Sequence, residues 1–142
     1  MNHPEFHVYI AGPFSPTQRQ KYARLPDDGR SDEQFARDCI SVNVLKAKQL
    51  GVEVAKLGVY PVIPHANSDH PGFECQDYDF WIKGTLEQMR RCNTVLFTDD
   101  WQESDGASGE NRHALESGMY CFYSIAELNV FIKGYFFEGQ VV

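Results

Sequence analysis

Short apolar, β-rich runs alternate along this chain with stretches whose apolar residues recur at helical spacing. Residues 6–11 (FHVYIA) form the first run, and Gly12-Pro13 breaks it, which predicts a buried strand ending in a turn. Residues 15–30 are polar, with Pro16, Pro26 and Gly29, and read as a long loop over the sheet edge. Ser31-Asp32-Glu33-Gln34 has the form of a capping box, with Ser31 capping and Gln34 reaching back. A helix should follow to about Leu57, with Phe35, Cys39, Val42, Leu45 and Leu50 as its apolar face and Gly58 as its stop.

Residues 59–63 (VYPVI) are a second strand, and Pro61, which has no N–H to donate, predicts that it lies at an edge. Residues 66–77 are a second loop. Residues 80–92 read as a helix with Trp81, Ile82, Thr85, Leu86 and Met89 on one face. Residues 94–98 (TVLFT) are a third strand, residues 99–109 a Gly-containing loop, and a helix then runs to about Ser117. Residues 119–123 (MYCFY) are a fourth strand, and Ser124 to Glu127 open a last helix reaching Lys133. The remaining stretch, GYFFEGQVV, is aromatic and apolar.

Strands thus alternate with helices. The pattern predicts an α/β fold: a single doubly wound domain over residues 1–142, with four to five parallel strands and helices on both faces, flavodoxin- or Rossmann-like. Ligands of such sheets bind beyond the carboxyl ends of the strands. Here those ends are Gly12-Pro13-Phe14, Pro64-His65 and the 99–109 loop.

Composition narrows the partners. With 13 Lys+Arg against 20 Asp+Glu, the net charge is −7. That argues against a nucleic-acid polymer or an anionic membrane as partner, since both are held by clustered cations. It leaves a single nucleotide open, because one helix N-terminus can hold one phosphate. No apolar run approaches the ~20 residues of a membrane span. Cys39, Cys75, Cys92 and Cys121 form no CxxC pair, and residues 1–5 are polar rather than the apolar core of a secretory leader. Reduced thiols in a cytoplasmic protein are therefore expected.

The chemistry concentrates in Trp101-Gln102-Glu103-Ser104-Asp105-Gly106-Ala107-Ser108-Gly109-Glu110. Small residues let a ligand approach the backbone, and free N–H groups at the helix start attract an anion. Glu110 falls in the first turns of the helix. The same pattern also suits a plain capped helix with Ser104 or Ser108 as the cap. His65, His70 and Cys75 have no zinc-like spacing, so no metal and no cofactor are expected. Trp101 is placed either to stack on a ligand or to pack its loop. Arg112 and His113 follow Glu110 on the same helix, and Asp99 and Asp100 lie in the loop before it. Ser15, Arg19 and Arg30 belong to the first loop, which could close as a lid.

Four segments match, in order, the nucleoside 2-deoxyribosyltransferase superfamily: VYIAGPF (8–14); Asn43 and Ala47 leading to YPVIPH (60–65); FWIKGTLEQMRRCNTVLF (80–97); and W-x-x-S-x-G-A-x-x-E (101–110). The chain resembles most its small phage and bacterial branch of unknown function. The resemblance implies cleavage or transfer at the N-glycosidic bond of a nucleoside or nucleoside 5′-monophosphate. Glu110 would be the attacking carboxylate, with Tyr9 beside it. Gly12, Pro13 and Phe14 would line the sugar pocket, with Gly106 and Ala107 in the motif loop and His65 near the base. Ser104 stands where the transferases carry an aspartate and the nucleotide hydrolases a phosphate-binding serine, which points to a 5′-monophosphate. Thr85 stands where the family carries its acid, and Asn93 replaces a further aspartate. Asp77 or, as the preferred candidate, Asp79 would have to supply that acid. A homodimer or higher homo-oligomer is implied as well. A different class of function, a catalytically silent nucleotide-binding or sensing domain, would follow if Thr85 abolishes turnover.

Overall fold

The alternation of side chains along the first strand sets the two faces of the sheet. In the computed structural model, which describes residues 2–138, β1 runs from His3–Ala11. Phe6, Val8 and Ile10 point to one face, and Tyr9 and Ala11 to the other. The chain continues through α1 (Gln18–Ala23), α2 (Asp32–Lys56), β2 (Val59–Val62), α3 (Pro64–Ser68), α4 (Tyr78–Arg90), β3 (Thr94–Phe97), α5 (Asp105–Glu116), β4 (Tyr120–Phe122) and α6 (Ile125–Glu138). All strand pairs are parallel, in the order β2-β1-β3-β4. The fold is therefore α/β, with a four-stranded parallel sheet flanked by helices on both faces. Pro61 lies on β2, an edge strand, as its missing N–H requires.

One core packs α2 and α6 on the sheet through Val8, Ile10, Ala47, Val54, Leu96, Leu128 and Ile132. The other packs α4 and α5 through Tyr9, Met89, Val95, Phe97 and Ala114. Chain order and strand order diverge between β1 and β3, because the chain passes outward to β2 before returning. That divergence is the switch point of an open α/β sheet, and crevices form beyond the strands there.

Several elements differ from the sequence reading. β1 begins at His3 rather than Phe6: the His3 N–H donates to the Gly58 carbonyl at 2.6 Å, and its ring stacks on Phe136. The first loop contains α1, fixed by a Thr17–Gln20 capping box. The buried face of α2 is Phe35, Cys39, Asn43, Val44, Ala47, Gly51 and Val54, while Val42 and Leu45 are exposed. Small residues decide this: a Cβ at Gly51 would lie 2.6 Å from Ile63, so the helix docks along its narrowest stripe. Ser31 does cap α2, but the Gln34 side chain turns to Asp38 instead of reaching back. The last helix does not stop at Lys133. It passes through Gly134 to Glu138, because Phe131, Tyr135 and Phe136 pack around one another and Phe6. That packing outweighs the ~1 kcal/mol penalty of a mid-helix glycine. Val141 and Val142, counted in the apolar tail, lie outside the described residues. Among the described residues no helix is long and apolar enough to cross a membrane.

Candidate active site

Two helices start at the carboxyl edge of the sheet and run side by side, α4 after the 69–77 loop and α5 after β3. Asp77 caps α4 by accepting from the Phe80 N–H at 2.9 Å. Ser104 caps α5 by accepting from the Ala107 N–H at 3.1 Å. Tyr78, Ile82 and Leu86 recur at four-residue spacing and form one wall of a cleft between these helices. Gly106, Gly109, Glu110 and His113 recur at helical spacing and form the other. The cleft encloses about 270 Å³, with Asp105, Arg112 and Glu116 also lining it. The glycines create the space: a Cβ at Gly109 would meet nothing within 4 Å.

Tyr9 lies beneath this cleft, fully buried near the carboxyl end of β1. Its hydroxyl donates to Oε2 of Glu110. Burial raises the Glu110 carboxyl and the tyrosine hydrogen bond opposes the rise, leaving it at about 7. The phenol itself is raised well above its ordinary value, first by burial and then by the Glu110 charge. Thr85, on α4, lies beside the phenol and opposes that rise. With Oε2 held, Oε1 is the oxygen left for chemistry. A desolvated carboxyl with a pKa near neutrality, held by a buried donor at a cleft, can act as a nucleophile when ionised or an acid when protonated.

Comparison of the chain with protein-family models, curated proteins and solved structures finds no match.

The other sequence candidates separate into three groups. Gly106 lines the cleft, and Ser104 stands at its mouth, 3.7 Å from where a Gly106 Cβ would lie. Gly12, Pro13, Phe14 and His65 form a second cluster at the end of β1 and do not line the cleft. The buried His65 ring donates through Nε2 to the Gly12 carbonyl at 2.9 Å, and its burial pushes its pKa down. It fixes the turn after β1 through Nε2, while its Nδ1 is buried with no hydrogen-bond partner among the described residues. Ala107 is buried in the core side of α5. Trp101 packs its loop, with its ring 5.3 Å from Phe97 and 5.6 Å from Tyr123.

Asp79 is misplaced for the role given to it. It sits on the outer face of α4, largely exposed, paired with Lys83 at 2.9 Å. Asp77 is spent on its cap. The Thr85 hydroxyl donates to the Ile82 carbonyl at 3.0 Å. Asn93 is structural: its side-chain oxygen accepts from the His7 N–H at 2.7 Å, and its own N–H donates to the His7 carbonyl.

Asp99 and Asp100 are not free loop carboxylates. Both pair with Lys46 of α2, Asp100 at 3.3 Å, and Thr98 donates to Asp100 at 2.7 Å. The first loop is latched rather than free to close as a lid. Asn43 donates to the carbonyls of Phe14 and Ser15, Arg19 pairs with Glu103, and Arg30 bridges Asp28 and Asp38. Arg90 and Arg91 pair with Glu87 on the exposed end of α4. Among the described residues no group of three His, Cys, Asp or Glu side chains is placed to hold a metal ion. Tyr78, Asp105, Gly109 and Glu116 are the cleft residues that motif reading overlooked. The glycine and glutamate spacing on α5, read as one face rather than as a loop motif, would have pointed to Gly109.

Proposed function

We propose that this protein cleaves or transfers at the N-glycosidic bond of a (deoxy)nucleoside or nucleoside 5′-monophosphate, with Glu110 as nucleophile. The reading joins the resemblance to the nucleoside 2-deoxyribosyltransferases to one observation: a buried Tyr9 hydroxyl holding the Glu110 carboxyl at the head of a cleft. Ionised Glu110 attacks the anomeric carbon through Oε1, passing an oxocarbenium-like transition state to a glycosyl ester. Tyr9 keeps the carboxyl oriented and its charge on Oε2. Water then releases the sugar, or a second base takes it. Ser104 accepts from Ala107, so its own hydroxyl proton is free for a 5′-oxygen at the cleft mouth. Asp105 and Arg112 on the cleft wall carry opposite charges, so a neutral 5′-hydroxyl and a 5′-phosphate both belong in the test.

A second reading is a nucleotide-binding or sensing domain without turnover. It is favoured by Thr85, whose hydroxyl is bonded within its own helix where the resembled family has an acid. One assay separates the two. Deoxynucleosides and their 5′-monophosphates are incubated with the protein, with and without a second base, and free base is quantified by chromatography. Base release that disappears in Glu110→Gln is expected. Saturable binding with no release from any substrate would select the sensor.

The proposal extends to assembly and setting. Exposed Val42, Leu45 and Val52 along α2, and Val130, Tyr135 and Phe137 along α6, support a homodimer or larger homo-oligomer. Four free cysteines support a reducing, cytoplasmic compartment.

A further inference from the structure

The leaving base must carry away an electron pair, and the residues expected to protonate it do not reach the cleft. Asp79 is turned outward to Lys83, Asp77 caps α4, and Thr85 is bonded to its own helix. Among the described residues that line the cleft, one has a buried proton site with no partner. His113 lies one turn beyond Glu110 on α5 and lines the same wall. Its Nε2 is buried and has no hydrogen-bond partner among the described residues. His65 Nδ1 and Thr94 Oγ1 are likewise buried without a partner, but neither residue lines the cleft, and an unpaired buried polar atom facing a cleft calls for a ligand. Asp105 and Glu116, the other acidic groups on this wall, lie on its exposed rim.

We propose that His113 is the general acid and base of the glycosidic reaction, a role that rests on the proposed function of Glu110. Residues three apart on a helix have their Cβ atoms about 5–6 Å apart. Glu110 and His113 therefore stand one turn apart on the same wall of the cleft. Protonated His113 gives its proton to a ring nitrogen of the base as the C1′–N bond breaks and its electron pair passes to the base. Oε1 of Glu110 forms the new C1′–O bond. In the second half, water adds at C1′ and yields a proton to neutral His113. The C1′–O bond to Glu110 breaks, and its electron pair restores the carboxylate. The base has then gained a proton and the sugar a hydroxyl, together one water, and both side chains are back in their starting states.

The test uses the full chain with two leaving groups. Adenine nucleosides and nucleotides need a proton to leave, whereas an N7-methylguanine nucleoside or nucleotide is already cationic and does not. His113→Gln and His113→Asn, each checked for a native melting curve, should lose ~10²–10⁴-fold in kcat on the adenine substrates. On the N7-methylguanine substrates the loss in the single-turnover rate of base release, which precedes the water step that also uses His113, should be under ten-fold, and added imidazole should recover part of the adenine rate. Equal losses on both leaving groups, or no loss on either, would overturn the role of His113 while leaving Glu110 standing. Wild-type protein releasing neither base would overturn the glycosidic reading itself and this role with it. If the two variants melt abnormally, imidazole rescue of a His113→Ala protein decides: recovery confined to the adenine substrates supports the role, and its absence overturns it.

Discussion

The Tyr9 hydroxyl donates to Oε2 of Glu110 across 101 positions of sequence, joining the carboxyl-end part of β1 to the second turn of α5. The bond opposes the burial that raises the carboxyl toward neutrality. Removing the hydroxyl leaves desolvation unopposed. Tyr9→Phe should therefore raise the Glu110 pKa further and move the acidic limb of any kcat/KM–pH profile to higher pH. Near pH 7 the rate should fall, and at high pH it should recover in part. A profile that keeps its acidic limb in place would show that Glu110 is not the titrating group.

Glu110→Gln should stabilise the protein, in a pH-dependent way. The folded carboxyl titrates at about 7 against an ordinary 4.5. Its folded pKa is raised, so the fold carries no penalty below pH ~4.5, where the group is protonated in both states. The penalty grows as pH rises and is complete above about 7. One pKa unit corresponds to about 1.4 kcal/mol, which places the full penalty at about 1–3 kcal/mol after relaxation. The variant should melt higher than wild type at pH 8 and at nearly the same temperature at pH 4.5. Equal melting shifts at both pH values would contradict the buried, raised carboxyl.

The layered fold and the edge position of β2 were legible in the sequence, because strand runs, Pro61 and the helix stops each have local causes. The Tyr9–Glu110 pair was legible only through resemblance. No local pattern links a β1 tyrosine to a helix 100 residues later. The error over Asp79 has a physical source: positions 77 to 79 open a helix, and one residue caps while the next faces outward, which only the helix phase decides. The pairing of Asp99 and Asp100 with Lys46 was not legible locally, because Lys46 comes from α2, 53 positions before Asp99. The run of α6 through Gly134 was not legible either, because the aromatic cluster that holds it forms only in three dimensions.

Gly109 offers a way to narrow the cleft without harming the fold. Its Cβ position is open, and it is helical, so alanine fits and gains about 0.5–1 kcal/mol of helix stability. The added methyl projects into the space that a ligand would use. Gly109→Ala should raise the melting temperature and weaken ligand binding by about ten-fold, since crowding a packed contact costs 1–3 kcal/mol. Isothermal titration with the substrate found by base-release screening reads both the loss and its size. Unchanged affinity would move the ligand away from this wall.

The exposed apolar positions of α2 test the assembly. Val42, Leu45 and Val52 are each more than half exposed and lie along one side of a 25-residue helix. Isolated apolar residues are common on surfaces, but a stripe of them along one helix marks a contact. Val42→Glu combined with Leu45→Glu places charge in the stripe without touching either core. Light scattering should show a smaller particle than wild type at the same concentration. Equal masses, with wild type already larger than a single chain, would place the contact elsewhere, with α6 next in line.

Gly12 and Thr98 define how closely β1 and β3 approach at the switch point. A Cβ on Gly12 would lie 2.5 Å from Thr98 Oγ1, far inside van der Waals contact. The Thr98 side chain is itself held, donating to Asp100 at 2.7 Å, so it does not move aside freely. Gly12→Ala should cost about 1–3 kcal/mol, the usual range for overpacking. Thr98→Gly removes the opposing atoms but also the hydroxyl, and should be destabilising alone. The double variant should be more stable than the sum of the two losses predicts, with a coupling of ~1 kcal/mol or more in a urea-unfolding cycle. Strict additivity would mean that the strain at Gly12 comes from the turn into Pro13 instead. The position of the Gly12 carbonyl, held by His65, would then be the feature that glycine protects.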